Sequence, residues 1–336
     1  MKNTMKAAVF DGKEIKIKEV PKPLPTNSQA LISIRATGVC GTDIAIIKGH
    51  LPTPTPLILG HEFAGEVVEV GNDVDLSWIG KRVTSEINSN IDFDCFYCKR
   101  EIFTQCTSRK ALGIDIDGAF AEFIAVESYL LHEFPEPISY EDATFIEPLA
   151  SAFQMMPLEH DDRTIAIFGL GKLGLLISQV AKMNGLDLIV VDGSEKKLAL
   201  AKKYGASYVL NRLKIKDIPK AIQDLTNNLG ADIVIDASGN PDALQDIVAS
   251  CRIRGKLHMK STHGLATPIN LTDIVVRELT LYSSRCGPFE KAIEGLKSGK
   301  IHVKELISEV YPLDEIKEAF ASYEKSRENI KTIIKI

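Results

Sequence analysis

The sequence has no stretch near the ~18 uninterrupted apolar residues that a membrane-crossing helix needs, so none of its 336 residues is expected to lie in a bilayer. The start, MKNTMKAAVF, runs straight into strand-like alternation. It lacks the apolar core and small-residue cleavage site of a secretory signal, and the expected address is cytoplasmic. Internal repeats, low-complexity tracts and coiled-coil heptads are also missing, which excludes solenoid and fibrous architectures. Nor is there a surplus of positive charge. The formal net charge is −5, so no global field draws the chain to nucleic acid or to an anionic membrane.

Disulfide-type cysteine spacing is absent as well. Of the six cysteines, Cys95, Cys98 and Cys106 crowd into one short loop, and Cys40 stands in a Gly-rich turn. In a long chain kept in a reducing compartment this favours metal ligation. Cys251 and Cys286 have no spaced partner and read as ordinary buried thiols.

What remains is an ordinary globular composition, with 45 % hydrophobic and 25 % charged residues. The length suggests two domains of roughly 100–200 residues each. Up to about residue 150, short strands are broken by Pro and Gly, as in PKPLP (21–25) and LPTPTPL (51–57). Such punctuation predicts a β-rich, barrel-like domain. After about residue 160 the rhythm becomes strand–helix–strand: TIAIFG (164–169), a helix over Lys172 to Met183, LDLIVVD (186–192), SYVLN (207–211), DIVIDASG (232–239), GKLHMKS (255–261) and ELTLYSS (278–284). That alternation predicts an α/β domain with a doubly wound parallel sheet. The expected division is 1–150, completed by about 290–336, and 151–289.

Gly169-Leu170-Gly171-Lys172-Leu173-Gly174 fits G-x-G-x-x-G, follows a strand and opens a helix, the context that gives this pattern meaning. The first glycine permits a tight turn, the second lets a pyrophosphate reach the backbone, and the third lets helix pack on strand. Free N–H groups at the helix start then face the phosphates. Asp192 closes the next strand eighteen residues on (192 − 174). Its carboxylate can accept both hydroxyls of the adenosine ribose and would repel a 2′-phosphate. Gly193 and Ser194 follow it rather than Arg, so NAD is expected and NADP less so. Lys197, one helical turn later, is a further ribose candidate.

Three separated pieces carry donors that zinc accepts: Cys40 in VCGTD, His61 and Glu62 in GHE, and Glu147 in IEPLA. Spacing alone does not bring them together. CGTD, GHEFAGEVVEVG and EPLA, in that order and ahead of GLGKLG, nevertheless resemble the zinc-containing medium-chain dehydrogenases over nearly the whole chain, closest to the polyol, threonine and glucose branch. The resemblance implies a GroES-like catalytic domain, a Rossmann domain and an active site in the cleft between them. It implies that Cys40 and His61 are primary zinc ligands, that Glu62 ligates or exchanges with water, and that Glu147 replaces the third-ligand cysteine of simple alcohol dehydrogenases. Asp43 matches the carboxylate that fixes the tautomer of the metal-bound histidine, and Thr42 the hydroxyl that meets the substrate oxygen. One departure stands out. Ala45 occupies the position of a histidine that ends the proton relay in many relatives.

Asp92, Cys95, Cys98 and Cys106 match the spacing of the family's structural zinc lobe, with aspartate in place of the first cysteine. One carboxylate and three thiolates form a sound zinc set; the rival is a metal-free lobe with three free thiols. A nucleic-acid-binding zinc ribbon does not fit, despite Lys99, Arg100, Arg109 and Lys110, because the chain is acidic and has a single knuckle. His263 and Arg285 follow late strands and could touch substrate or phosphate, or serve as a turn residue and an interface anchor.

The expected activity is therefore hydride transfer between NAD and a secondary alcohol on a polyol, sugar or amino-alcohol, with a small alcohol or carbonyl as substrate. The alternatives are a zinc-free quinone or enone reductase and a non-enzymatic NAD-binding protein on the same fold. The edge-strand candidate ELTLYSS suits a homodimer or homotetramer.

Overall fold

The structure is a computed structural model that describes residues 3–155 and 158–336. Its contacts divide the chain into two compact units. One runs up to Glu147 and is joined by Phe289–Ile336; the other is Pro148–Pro288.

The first unit begins with β1 (Thr4–Phe10), β2 (Ile15–Pro21), β3 (Gln29–Gly38), helix α1 (Gly41–Ile47), β4 (Leu57–Ile58), β5 (Glu62–Val70) and β6 (Arg82–Ser85). It continues with β7 (Asn88–Ser89), β8 (Lys110–Ala111), β9 (Phe123–Glu127), β10 (Leu131–Glu133) and α2 (Tyr140–Ala143), and α3 (Ile146–Phe153) begins at its end and runs on into the second unit. The second unit holds β11 (Thr164–Phe168), α4 (Lys172–Met183), β12 (Asp187–Asp192), α5 (Glu195–Lys203), β13 (Tyr208–Asn211), α6 (Ile218–Leu225) and β14 (Ala231–Asp236). After these come α7 (Leu244–Ser250), β15 (Cys251–Met259), α8 (Leu271–Val276) and β16 (Thr280–Ser283). The chain then returns to the first unit through α9 (Phe289–Lys297), β17 (Ile307–Pro312), α10 (Ile316–Lys325) and β18 (Lys331–Lys335).

In the first unit a seven-stranded sheet runs β10-β6-β5-β3-β18-β17, with β9 also paired to β3. Burial alternates along β9 but not along β3 and β18, which are covered on both faces over most of their length. Two apolar clusters fill the interior, one around Phe10, Phe120, Ile316 and Phe320, the other around Ile32, Phe63, Val83 and Ile124. The antiparallel register sets Gly38 opposite both Glu62 and Ile333. Three strands thus bring the ends of β3, β5 and β18 side by side.

The second unit is a six-stranded parallel sheet in the order β13-β12-β11-β14-β15-β16. Its central strands β11, β12 and β14 are rich in buried Ile, Val and Ala, as a sheet covered on both faces demands. The strand order reverses between β11 and β14, and ligands of open α/β sheets bind at such a point. His258 lies fully buried on β15. Burial, aided by the Lys260 charge, pushes its imidazole down to about 4, so it is neutral at pH 7 and packs as a core side chain against Tyr282.

No described helix is long and apolar enough to cross a membrane.

Candidate metal and dinucleotide sites

β3 runs out at Gly38, and the next turn presents Cys40 ahead of α1. β5 starts at Glu62, with His61 just before it. Because Gly38 and Glu62 are register partners, residues about twenty positions apart meet at one corner of the sheet. The ligand atoms of Cys40, His61 and Glu62 all lie within 4.8 Å of one another. Cys40 is half-buried, while His61 and Glu62 are buried.

Asp43 serves this corner twice. One carboxylate oxygen accepts the Cys40 backbone N–H at 2.8 Å, reaching back from the first turn of α1 to its N-cap. The other lies 3.6 Å from Nδ1 of His61, a buried ring nitrogen that makes no hydrogen bond. Burial alone would push the His61 imidazole down. The negative charge of Cys40, followed by that of Asp43 and Glu62, overrides this and raises it to about 10. A half-buried thiol beside a buried imidazole and a buried carboxylate suits a divalent cation, and zinc accepts this donor set. Thr42 is half-buried on α1, and Ala45 is buried on the same helix.

Glu147 sits half-buried in the first turn of α3; the donor atoms that lie within 4.8 Å of one another are those of Cys40, His61 and Glu62. Sequence reasoning also missed a residue. Lys331, at the start of β18, is fully buried and pairs its ammonium with Glu62. The available signal was a lysine embedded in the apolar run IKTIIKI, where a buried charge requires a partner.

The second group is Asp92, Cys95, Cys98 and Cys106, again with ligand atoms within 4.8 Å of one another. The Asp92 carboxylate accepts the N–H groups of Asp94 and Cys95, both at 2.9 Å, and the Ser108 hydroxyl at 2.9 Å. The Cys95 and Asp94 amides hold it well below the usual carboxylate range. Burial pushes the Cys98 thiol up, whereas backbone amides, that of Thr107 foremost, pull Cys95 down. The lobe has little core of its own, since Phe93, Phe96, Ile102 and Phe103 are all exposed. A metal would supply the missing cohesion.

In the second unit, Gly169 follows β11 with φ 90°, a left-handed conformation that favours glycine. A Cβ there would strike the backbone of Ala237 and Ser238, and one on Gly174 would strike the Gly169 carbonyl. Gly171 is the exception: a Cβ there would meet nothing within 4 Å. The first and third glycines are thus required by the protein's own packing, while the second leaves open space before the N-terminus of α4, fit for a phosphate. Lys172 and Leu173 open α4, both half-buried. Asp192 closes β12 and is half-buried. It accepts Leu170 N–H at 2.7 Å and Ser194 N–H at 2.8 Å, tying the glycine loop to the next strand end. Lys197 is buried on α5, where its N–H donates to the Ser194 cap at 3.1 Å.

His263 takes the turn role: its Nδ1 accepts Leu265 N–H at 3.1 Å. Arg285 is exposed just beyond β16.

Comparison with known proteins follows the same division. Residues 26–136 match the family model described as alcohol dehydrogenase GroES-like domain, and residues 173–298 match that of zinc-binding dehydrogenase. D-arabitol-phosphate dehydrogenase of Enterococcus avium is 36 % identical over 93 % of this chain and 91 % of its own. Sorbitol dehydrogenase of Halalkalibacterium halodurans is 32 % identical over 95 % and 94 %. Among solved structures, a zinc-binding dehydrogenase of Sinorhizobium meliloti bound to NADP superposes with a TM-score of 0.91 at 27 % identity, covering 100 % of both chains.

Proposed function

The chain belongs to the zinc-type alcohol dehydrogenases of the medium-chain dehydrogenase/reductase family, an oxidoreductase acting on CH–OH groups, and from that premise we propose that it oxidises a secondary alcohol of a polyol, sugar or amino-alcohol with zinc and NAD. The observation that carries the zinc dependence is the corner where the ligand atoms of Cys40, His61 and Glu62 converge within 4.8 Å of one another. The NAD preference is supported by Asp192 at the end of β12, whose carboxylate would repel a 2′-phosphate. The polyol class is supported by relatives that are named for arabitol phosphate and sorbitol.

Cys40, His61 and Glu147 would hold the zinc, with Glu62 as the ligand that exchanges. When bound, zinc supplies Lewis acidity that lowers the pKa of an alcohol toward neutrality, and nicotinamide supplies the hydride acceptor. The chain's own groups do the rest. Thr42 presents its hydroxyl to the substrate oxygen and accepts the departing proton. Asp43 orients the His61 ring through Nδ1 and so selects its tautomer. Ala45 has no group to carry the proton onward, so the relay turns elsewhere after Thr42. In the second unit, Gly169, Gly171 and Gly174 shape the loop, Lys172 and Leu173 begin the helix that faces the pyrophosphate, and Asp192 and Lys197 attend the ribose. Asp92, Cys95, Cys98 and Cys106 would hold a second, structural zinc.

The chain assembles as a homodimer or homotetramer. β16 is an edge strand, and Leu281 on it and Leu271, Val275 and Val276 on α8 are half to three-quarters exposed, an apolar face that a second copy would cover. A substrate panel tests the catalytic reading. NAD-linked oxidation of polyols, sugar alcohols and amino-alcohols should exceed that of simple primary alcohols by about tenfold or more in kcat/KM, a discrimination of ~1.4 kcal/mol. Equal rates, or reduction of quinones instead, would reject it.

A further inference from the structure

We propose that Arg212 is a specificity-determining residue of the dinucleotide site: its guanidinium receives a 2′-phosphate on the adenosine ribose, in opposition to Asp192, so that the chain takes NADP as a second, weaker cofactor beside NAD. The inference deepens the cofactor reading above and rests on it.

Strand pairing brings Arg212 to the ribose end of the sheet. β12 and β13 run parallel, with Asp192 the register partner of Asn211, and the Arg212 N–H donates to the Asp192 carbonyl at 3.0 Å. Asn211 then closes a turn. Its backbone carbonyl accepts the N–H groups of Lys214 and Ile215, both at 3.0 Å, and its side-chain oxygen accepts that of Leu213 at 2.9 Å. This turn carries the Arg212 and Leu213 side chains across to Gly193. A Cβ on Gly193 would lie 3.3 Å from Cγ and Cδ1 of Leu213 and 3.6 Å from Nε of Arg212. Arg212 thus runs beside the residue that follows Asp192, and glycine at 193 keeps that approach open.

The ionic groups around this turn are not equally committed. Lys214 is paired with Glu195 at 2.6 Å. The Asp192 carboxylate is held by the Leu170 and Ser194 amides, one on each oxygen. Arg212 is exposed, and among the described residues its guanidinium makes no hydrogen bond and no ion pair. A guanidinium presents a planar fork of donors that matches a phosphate, and an arginine near the ribose is what accommodates the 2′-phosphate of NADP in folds of this kind. Directly after Asp192 the sequence has Gly193 and Ser194; the fold supplies the arginine from the end of the next strand instead.

Charge sets the outcome. A ribose with two free hydroxyls gains Asp192 as an acceptor and offers Arg212 no anion. A 2′-phosphate meets repulsion from Asp192 and attraction from Arg212 together, so its net penalty is smaller than Asp192 alone would impose.

The test uses the full-length enzyme as wild type, Arg212→Ala, Asp192→Asn and the double variant. Calorimetry compares the affinity for 2′,5′-ADP with that for 5′-AMP, two fragments that differ only by the 2′-phosphate, and kinetics compare kcat/KM for NADP and NAD. Arg212→Ala is expected to weaken 2′,5′-ADP relative to 5′-AMP by about tenfold, the low end for a charged hydrogen bond because the site is exposed to salt. It should widen the preference for NAD by a similar factor. Asp192→Asn should shift the fragment ratio toward 2′,5′-ADP, and adding Arg212→Ala should remove most of that gain. An Arg212→Ala protein that weakens both fragments equally, as loss of a group stacked on adenine would, overturns the proposal, and so does one that weakens neither. A wild type that favours NADP overturns the NAD preference, while a tenfold change of fragment ratio in Arg212→Ala would still support the role of Arg212. A wild type that binds neither fragment overturns the dinucleotide reading, and this inference with it.

Discussion

Replacing Cys40 with alanine is expected to lower turnover by about a thousandfold or more while leaving NADH affinity within about twofold of wild type. Catalytic zinc sites use three protein ligands and an open position. Alanine removes one proposed ligand and leaves His61, Glu62 and Glu147 to hold the ion. Lewis-acid polarisation supplies several kcal/mol, and ~4 kcal/mol is about a thousandfold in rate. Helix α1 should survive, because its start is held by the Asp43 carboxylate on the Cys40 backbone N–H rather than by the thiol. NADH binding should survive because the glycine loop, Asp192 and α4 belong to the other unit. Steady-state kinetics beside a fluorescence titration with NADH separates the two effects. Activity within tenfold of wild type would show that Cys40 does not ligate the catalytic metal.

Replacing Asp192 is expected to erode the preference for NAD over NADP by ten- to a hundredfold, the worth of a charged hydrogen bond of ~1.5–3 kcal/mol. Asp192 also anchors Leu170 N–H and Ser194 N–H, so alanine would slacken the loop as well as remove the charge. Asp192→Asn separates the two, since it keeps an acceptor for one loop amide but cannot repel a phosphate. The account predicts that both variants narrow the ratio of kcat/KM for the two cofactors, with alanine losing more of its absolute rate for NAD. An unchanged ratio in both would remove Asp192 from ribose recognition.

The second unit was the more legible in sequence. Buried parallel strands announce themselves as Val and Ile runs, and the helix over Lys172 to Met183 appears with those bounds. β15 begins earlier than expected, at Cys251, because the stretch before Gly255 pairs irregularly with β14. Helices α1, α3, α6 and α9 escaped notice; at seven to nine residues they offer barely two turns of periodicity. The glycine loop was readable because its function is local. The metal corner was not, because its members meet through strand register, and only resemblance joined Cys40 to His61. That same resemblance added Glu147, which lies on α3. Lys331 lies 269 residues from Glu62, beyond the reach of any spacing argument.

Zinc is proposed at both the Cys40 corner and the Asp92 lobe. Metal content per subunit tests it directly, on protein purified without added zinc, with Cys40→Ala and Cys95→Ala alongside. The account predicts two zinc ions in the wild type and the loss of one in each variant. No zinc, even after zinc is supplied, would contradict it and return the chain to the zinc-free reductase or the non-enzymatic NAD-binding reading.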